Sequence, residues 1–234
     1  FTYIFTKDKN LTSLYEKYGS VNTVEVPESY QKLWDEINLE TQTQKLNNSM
    51  IYDSKERNQI LNSLSKRGYY LTRIAEVFEC KDIAEVGTAE GWQYFNFCKY
   101  IDENKGNTVS SCDPRDVRDK KYLEIFNDER FTFYNGTSLE MSEGEKEKDF
   151  FYIDGLHDEN TVLLDVYNLQ NNQVSDKKPV WVFDDFDHRF GCYKDILSIC
   201  SNSSNFKVYK VGKTASGKPA HQALVVGRMS ITKS

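Results

Sequence analysis

What the sequence lacks narrows it first. No apolar run approaches the ~20 residues that a membrane-spanning helix requires, and the first residues show no leader pattern. A cytoplasmic protein without a membrane partner is therefore expected. Basic blocks are also missing: 30 Lys and Arg stand against 36 Asp and Glu, for a formal net charge of -6. That leaves no electrostatic footprint for duplex nucleic acid or an anionic membrane. The five cysteines (Cys80, Cys98, Cys112, Cys192, Cys200) are odd in number and form no C-x-x-C pair. This argues against a disulfide framework or a structural zinc site and points to buried free thiols. No internal repeat is visible. A hydrophobic fraction of 38% and an aromatic fraction of 14% argue against disorder.

What is present is an alternation of short apolar runs and helical patterns. Residues 1–54 are read as an N-terminal helical extension, a covering or lid segment, and 55–234 as the core of a single domain. Ser54 can cap a helix carrying Ile60, Leu61, Leu64, Leu71 and Ile74 at helical spacing. Strands are expected at Ile83–Val86, Thr108–Cys112, Phe131–Tyr134, Phe150–Ile153, Val180–Phe183, Phe206–Val211 and Gln222–Val226. Helices are expected at Trp92–Ile101, Tyr122–Phe126, Glu159–Leu169 and Gly191–Cys200, with Asp158 as a cap and 142–148 as a charged surface segment. Such alternation predicts an α/β fold: a Rossmann-like, mainly parallel seven-stranded sheet with helices on both faces. The short turn-rich linker at 212–219 predicts that the last two strands form an antiparallel hairpin.

Two features lie at the carboxyl ends of the expected strands, where open α/β sheets bind ligands. The first is Glu85-Val86-Gly87-Thr88-Ala89-Glu90-Gly91-Trp92. It is a strand-to-helix turn, but it departs from the G-x-G-x-x-G dinucleotide pattern at Ala89 and Trp92. Glu85 and Glu90 would repel a pyrophosphate and suit a cationic ligand. Asp113, ending the next strand, is placed to hydrogen-bond a ribose diol. A positively charged nucleoside is implied, and S-adenosylmethionine fits. Its contacts are assigned to Glu85, Gly87, Thr88, Gly91, Trp92 and Asp113. Gly136, Thr137 and Ser138, after the third strand, are assigned to the adenine side.

The second feature is a set of acids. Phe150-Phe151-Tyr152-Ile153 ends in Asp154-Gly155-Leu156-His157, and Val180-Trp181-Val182-Phe183 ends in Asp184-Asp185-Phe186-Asp187-His188. Asp154, Asp184 and Asp185 converging without a basic partner would repel one another, and a divalent cation resolves this. All-oxygen ligands favour Mg²⁺, or Mn²⁺ or Ca²⁺, over zinc. His157 is the candidate general base, since a near-neutral imidazole can take a proton from a hydroxyl. Asp187, His188 and His221 are read as surface or structural residues.

Together these residues resemble a known group. Glu85-x-Gly87-x-x-x-Gly91 with Asp113 looks like the first motifs of class I S-adenosylmethionine-dependent methyltransferases. Ile153-Asp154-Gly155-Leu156-His157 and Phe183-Asp184-Asp185-Phe186 resemble the narrower metal-dependent sugar O-methyltransferases typified by macrocin O-methyltransferase. The resemblance spans about 68–226. It departs at Leu156, where the group often has Asp, and at Trp92-Gln93, where small residues or Ser are commoner. It implies that Asp154, Asp184 and Asp185 bind a catalytic Mg²⁺, that His157 (with Asp154) serves catalysis, and that the acceptor is a small-molecule hydroxyl, a sugar or glycosylated metabolite. Alternatives are a catechol-type O-methyltransferase, an NAD-linked enzyme on a similar sheet, and a non-catalytic binding protein. A homo-oligomer is compatible with the sequence.

Overall fold

A computed structural model of the protein describes residues 71–72, 74–186, 189–201, 207–210 and 222–232. The expected covering segment at 1–54, most of the helix begun at Ser54, the linker at 212–219, and Asp187, His188 and His221 lie outside the described residues. The elements in order are β1 (Asp82–Val86), α1 (Trp92–Glu103), β2 (Thr108–Asp113), α2 (Lys120–Leu123), β3 (Phe131–Asn135) and α3 (Ser138–Gly144). Next come β4 (Phe150–Ile153), α4 (Thr161–Leu169), β5 (Val180–Phe183), α5 (Tyr193–Ser201), β6 (Lys207–Lys210) and β7 (Ala223–Val226). The strands form one seven-stranded sheet in the order β3-β2-β1-β4-β5-β7-β6. Pairing is parallel from β3 to β5, and β7 runs antiparallel to both β5 and β6.

The central strands are continuous apolar runs because both faces are covered. All four residues of β4 and all four of β5 are buried. Alternate side chains serve different layers. On one face Phe151 stacks on Trp181 at 3.9 Å, joined by residues of α4 and α5. On the other, Phe97 of α1 meets Phe150 and Tyr152 edge to face.

Two local expectations are corrected. Asp158 does not cap α4. The N-cap is Asn160 in a left-handed conformation, and the Thr161 hydroxyl lies within hydrogen-bond reach of the carbonyls of Leu156 and Asp158, one of which can take its hydrogen. The stretch 142–148 is not wholly surface: Lys148 is 1% exposed, and its ammonium reaches Thr108 Oγ1 (2.8 Å), Ser110 Oγ (2.9 Å) and Glu145 Oε2 (2.8 Å). Three oxygen partners compensate the burial of that charge.

Register brings the strand ends into line. Cys112 pairs with Val86, Val86 with Ile153, and Ile153 with Phe183. The next residues continue the ladder: Gly87 N–H donates to Cys112 O, Asp154 N–H to Val86 O, and Asp184 N–H to Ile153 O. Asn135, Asp113, Gly87, Asp154 and Asp184 therefore stand in one row across the carboxyl edge. Between β1 and β4 the strand order reverses, and such a switch point opens a crevice.

Candidate active site

The glycine turn is shaped by close approach. Gly87 has φ +91°, and a Cβ there would lie 1.9 Å from the carbonyl oxygen of Asp154. Only glycine lets β1 and β4 end so near each other. Beneath the turn lies a buried polar relay. Glu85 is 0% exposed; its Oε2 accepts from Ser111 Oγ at 2.6 Å, and Ser111 Oγ lies 2.5 Å from Thr88 Oγ1. Burial pushes the Glu85 carboxyl well above its ordinary pKa, against the lowering effect of the Ser111 bond. Its Oε1 has no hydrogen-bond partner among the described residues. Glu85 and Thr88 thus sit under the turn rather than on its outer surface. Gly91, at φ +84°, caps α1, and Trp92 packs edge-on against Tyr122 at 6.1 Å.

Asp113 faces outward at the end of β2. Its Oδ2 accepts from the Ala89 amide (3.0 Å) and its Oδ1 from the Arg115 amide (2.9 Å), which fixes the carboxylate beside the turn. At the end of β3, Thr137 caps α3 in a reciprocal arrangement with Glu140. The neighbouring Ser138 hydroxyl donates to Asp165 Oδ1 at 2.6 Å.

A cavity of about 940 Å³ runs along this edge. Of the residues assigned from sequence, Gly87, Asp113, Gly136, Thr137, Ser138, Asp154 and His157 line it. Glu85, Thr88, Gly91, Trp92, Asp184 and Asp185 stand outside its wall.

The acidic end has a different grouping from the expected trio. Ligand atoms of Asp154, His157 and Asp185 all lie within 4.8 Å of one another. His157 Nδ1 is 2.7 Å from Asp185 Oδ2, and its Nε2 is 3.6 Å from Asp154 Oδ1. Asp184 turns elsewhere: its Oδ2 accepts from the Tyr152 hydroxyl at 2.7 Å and its Oδ1 from the Asp185 amide at 2.9 Å. Asp185 adopts φ +53°, which is uncommon outside glycine and in keeping with a constrained site. The same Tyr152 hydroxyl lies 3.0 Å from Asp154 Oδ2.

Burial pushes the Asp154 pKa up to about 6, against the lowering pull of His157. Asp154 and Asp185 in turn hold His157 above the ordinary histidine range. With these acids uncovered, the imidazole is biased toward its protonated form, which is a poor base. Two carboxylates and one imidazole within this span are a donor set that fits a divalent cation.

Tyr152 and Asp165 were missed by sequence reasoning. The available signal for Tyr152 was that a tyrosine inside a strand buried on both faces needs a partner for its hydroxyl.

The comparisons with known proteins agree with this geometry. Residues 84–186 match the family model described as a methyltransferase domain. Comparison with curated proteins returns no match. Among solved structures, the chain is similar to an O-methyltransferase from Bacillus cereus in complex with SAH, with a TM-score of 0.55 and 14% identity. That likeness covers 93% of this chain and 100% of the other. It is also similar to a methyltransferase from Geobacter sulfurreducens (TM-score 0.52, 13% identity, 80% and 95% covered). A third is the SAH-bound methyltransferase PaMTH1 of Podospora anserina (TM-score 0.52, 11% identity, 98% and 100% covered). At such identities these likenesses speak to the fold. With the matched stretch 84–186, they show a methyltransferase-type fold. Among the described residues, no helix is long and apolar enough to cross a membrane.

Proposed function

We propose that the chain is an S-adenosylmethionine-dependent O-methyltransferase that uses a divalent cation and methylates a hydroxyl of a small molecule, a sugar or glycosylated metabolite. One observation carries this reading. Asp113, placed as a diol acceptor, stands in the same row and on the same cavity as Asp154, whose carboxylate belongs to the cation-type cluster with His157 and Asp185.

In this reading Asp113 holds the ribose, Gly87 admits the cofactor chain close to the backbone, and Gly136–Ser138 border the base. S-adenosylmethionine supplies an electrophilic methyl group on its sulfonium. A bound cation, Mg²⁺ or Mn²⁺, would supply Lewis-acid activation of the acceptor oxygen. Asp154 and Asp185 are the residues that would hold it, with a reoriented Asp184 completing the set and His157 left beside them as the base. In its neutral form the His157 ring would take the hydroxyl proton as the oxygen attacks the methyl carbon, while the methyl–sulfur bond breaks and S-adenosylhomocysteine leaves. Orientation of the two reactants by the cavity wall supplies much of the remaining acceleration.

The test is a thermal-shift titration with S-adenosylmethionine, followed by turnover against a panel of glycosylated and catechol-type acceptors with and without chelator. A raised melting temperature is expected from linkage, as is turnover that chelator abolishes and Mg²⁺ or Mn²⁺ restores. No shift at saturating cofactor would remove the reading.

A further inference from the structure

The loop after β2 brings Asp113 and Arg115 to the cavity wall, yet its first residues have no apolar anchor. Residues 114–117 are all exposed, Val117 by 52%. A segment that buries so little gains little from folding and opens easily. Asp113 can present a fixed carboxylate only if a residue further along holds the loop down.

Arg118 is that residue. Its guanidinium forms a fork on Asp116, Nε to Oδ1 and Nη2 to Oδ2, each at 2.9 Å. Its Cζ lies 3.9 Å from the centre of the Phe133 ring on β3 and 5.8 Å from that of Tyr94 on α1. The side chain is only 13% exposed. A planar cation that is stacked, forked and largely shielded from water holds its place far better than an ordinary surface ion pair. The stem of the same side chain packs against the glycine turn: a Cβ at Gly91 would meet Arg118 Cγ at 3.4 Å. One residue on, the Asp119 amide donates to the Glu90 carbonyl at 3.0 Å.

The loop is thus tied to the glycine turn at both ends. At the far end Arg118 and Asp119 meet Gly91 and Glu90. At the near end Asp113 Oδ2 accepts from the Ala89 amide at 3.0 Å, and Ala89 has φ +44°, an uncommon value for a residue with a side chain. Between the ends, the Arg115 amide closes back on Asp113 Oδ1 at 2.9 Å. Arg118 itself is not part of the cavity wall. We infer that Arg118 is a positioning residue for the ribose diol: without touching the cofactor, it fixes the loop so that backbone amides hold both oxygens of Asp113 in the binding geometry. Without that anchor, ordering the loop becomes a cost of binding. The inference rests on the methyltransferase reading above and names the residue that preorganises its diol site.

Calorimetric titration of the full chain with S-adenosylhomocysteine, and with its analogue lacking both ribose hydroxyls, tests this. The wild-type protein should prefer the diol compound by roughly 10–100-fold, the range of hydrogen bonds to a charged acceptor. Arg118→Ala should reduce that preference to about 3-fold or less, through lost affinity for the diol compound alone. Its affinity for the analogue should stay near wild type, because that compound makes no use of Asp113. A merely structural role would weaken both compounds together and leave their ratio unchanged, and that result would overturn the inference. So would wild-type protein that binds both compounds equally, with the methyltransferase reading left in place. Wild-type protein that binds neither compound would instead overturn the methyltransferase reading, and the inference with it. If Arg118→Ala does not fold, Phe133→Leu decides by the same ratio, since it removes the stacked ring and keeps an apolar side chain.

Discussion

The Tyr152 hydroxyl lies 2.7 Å from Asp184 Oδ2, and this contact takes Asp184 away from the cluster formed by Asp154, His157 and Asp185. Tyr152 is 4% exposed and its hydroxyl also lies 3.0 Å from Asp154 Oδ2. A hydroxyl has one hydrogen and cannot donate to both acids. Donation to Asp184, the shorter contact, leaves Asp154 Oδ2 without that hydrogen.

Tyr152→Phe should therefore expose the repulsion that the hydroxyl relieves. Without a cation, denaturant unfolding should show a loss of about 1–3 kcal/mol, the cost of leaving a partly buried carboxylate short of a donor. Added Mn²⁺ should recover more stability in the variant than in the wild type, because Asp184 is then free to join the cation. Equal stability of the two proteins without metal would show that the contact does not hold the acids apart.

The cation itself is tested at Asp185. Asp185→Asn should weaken Mn²⁺ binding, read by calorimetry, and lower turnover at limiting metal. S-adenosylhomocysteine affinity should stay near wild type, since Asp185 lies off the cavity wall. His157→Ala should lower turnover by roughly 10²–10⁴-fold, the usual contribution of a positioned base. Full turnover in His157→Ala would eliminate it from that role.

Gly87→Ala is predicted to be severe for a reason separate from ligands. The new Cβ would overlap the Asp154 carbonyl at 1.9 Å, and φ +91° is unfavourable for alanine. A loss of at least about 2 kcal/mol is expected from strain and displaced backbone. A melting temperature within a degree of wild type would contradict the close packing of β1 on β4.

Much of this arrangement was legible in the sequence, and the reason is register. Val86, Ile153 and Phe183 end apolar runs, so Gly87, Asp154 and Asp184 had to emerge together at one edge once the strands ran parallel. What stayed hidden depends on individual side-chain and backbone choices. Of two adjacent acids, the sequence does not reveal that Asp184 turns to Tyr152 while the φ of +53° at Asp185 goes with a carboxylate facing His157. Lys148 looked solvated within a charged run because its partners Thr108 and Ser110 come from a distant strand. Nothing in the sequence singles out Asp165 within its helix, since only the packing of α4 on α3 brings it to Ser138.

Asp165 also makes a prediction for pH. Burial raises its pKa from an ordinary 3.8 to about 6, against the lowering effect of the Ser138 bond. For a carboxyl raised in the folded state, the folded protein binds more protons than the unfolded chain between those values. The stabilising contribution is therefore fully present below pH 3.8 and is lost as pH rises through about 6. Above that, the ionised group is held in surroundings that disfavour it. Asp165→Asn keeps the acceptor for Ser138 and removes the charge. It should gain about 1–3 kcal/mol over wild type at pH 7.5, and the gain should fade toward zero near pH 4. Urea unfolding at the two pH values measures this difference directly. A gain that did not change with pH would show that ionisation of Asp165 is not its source.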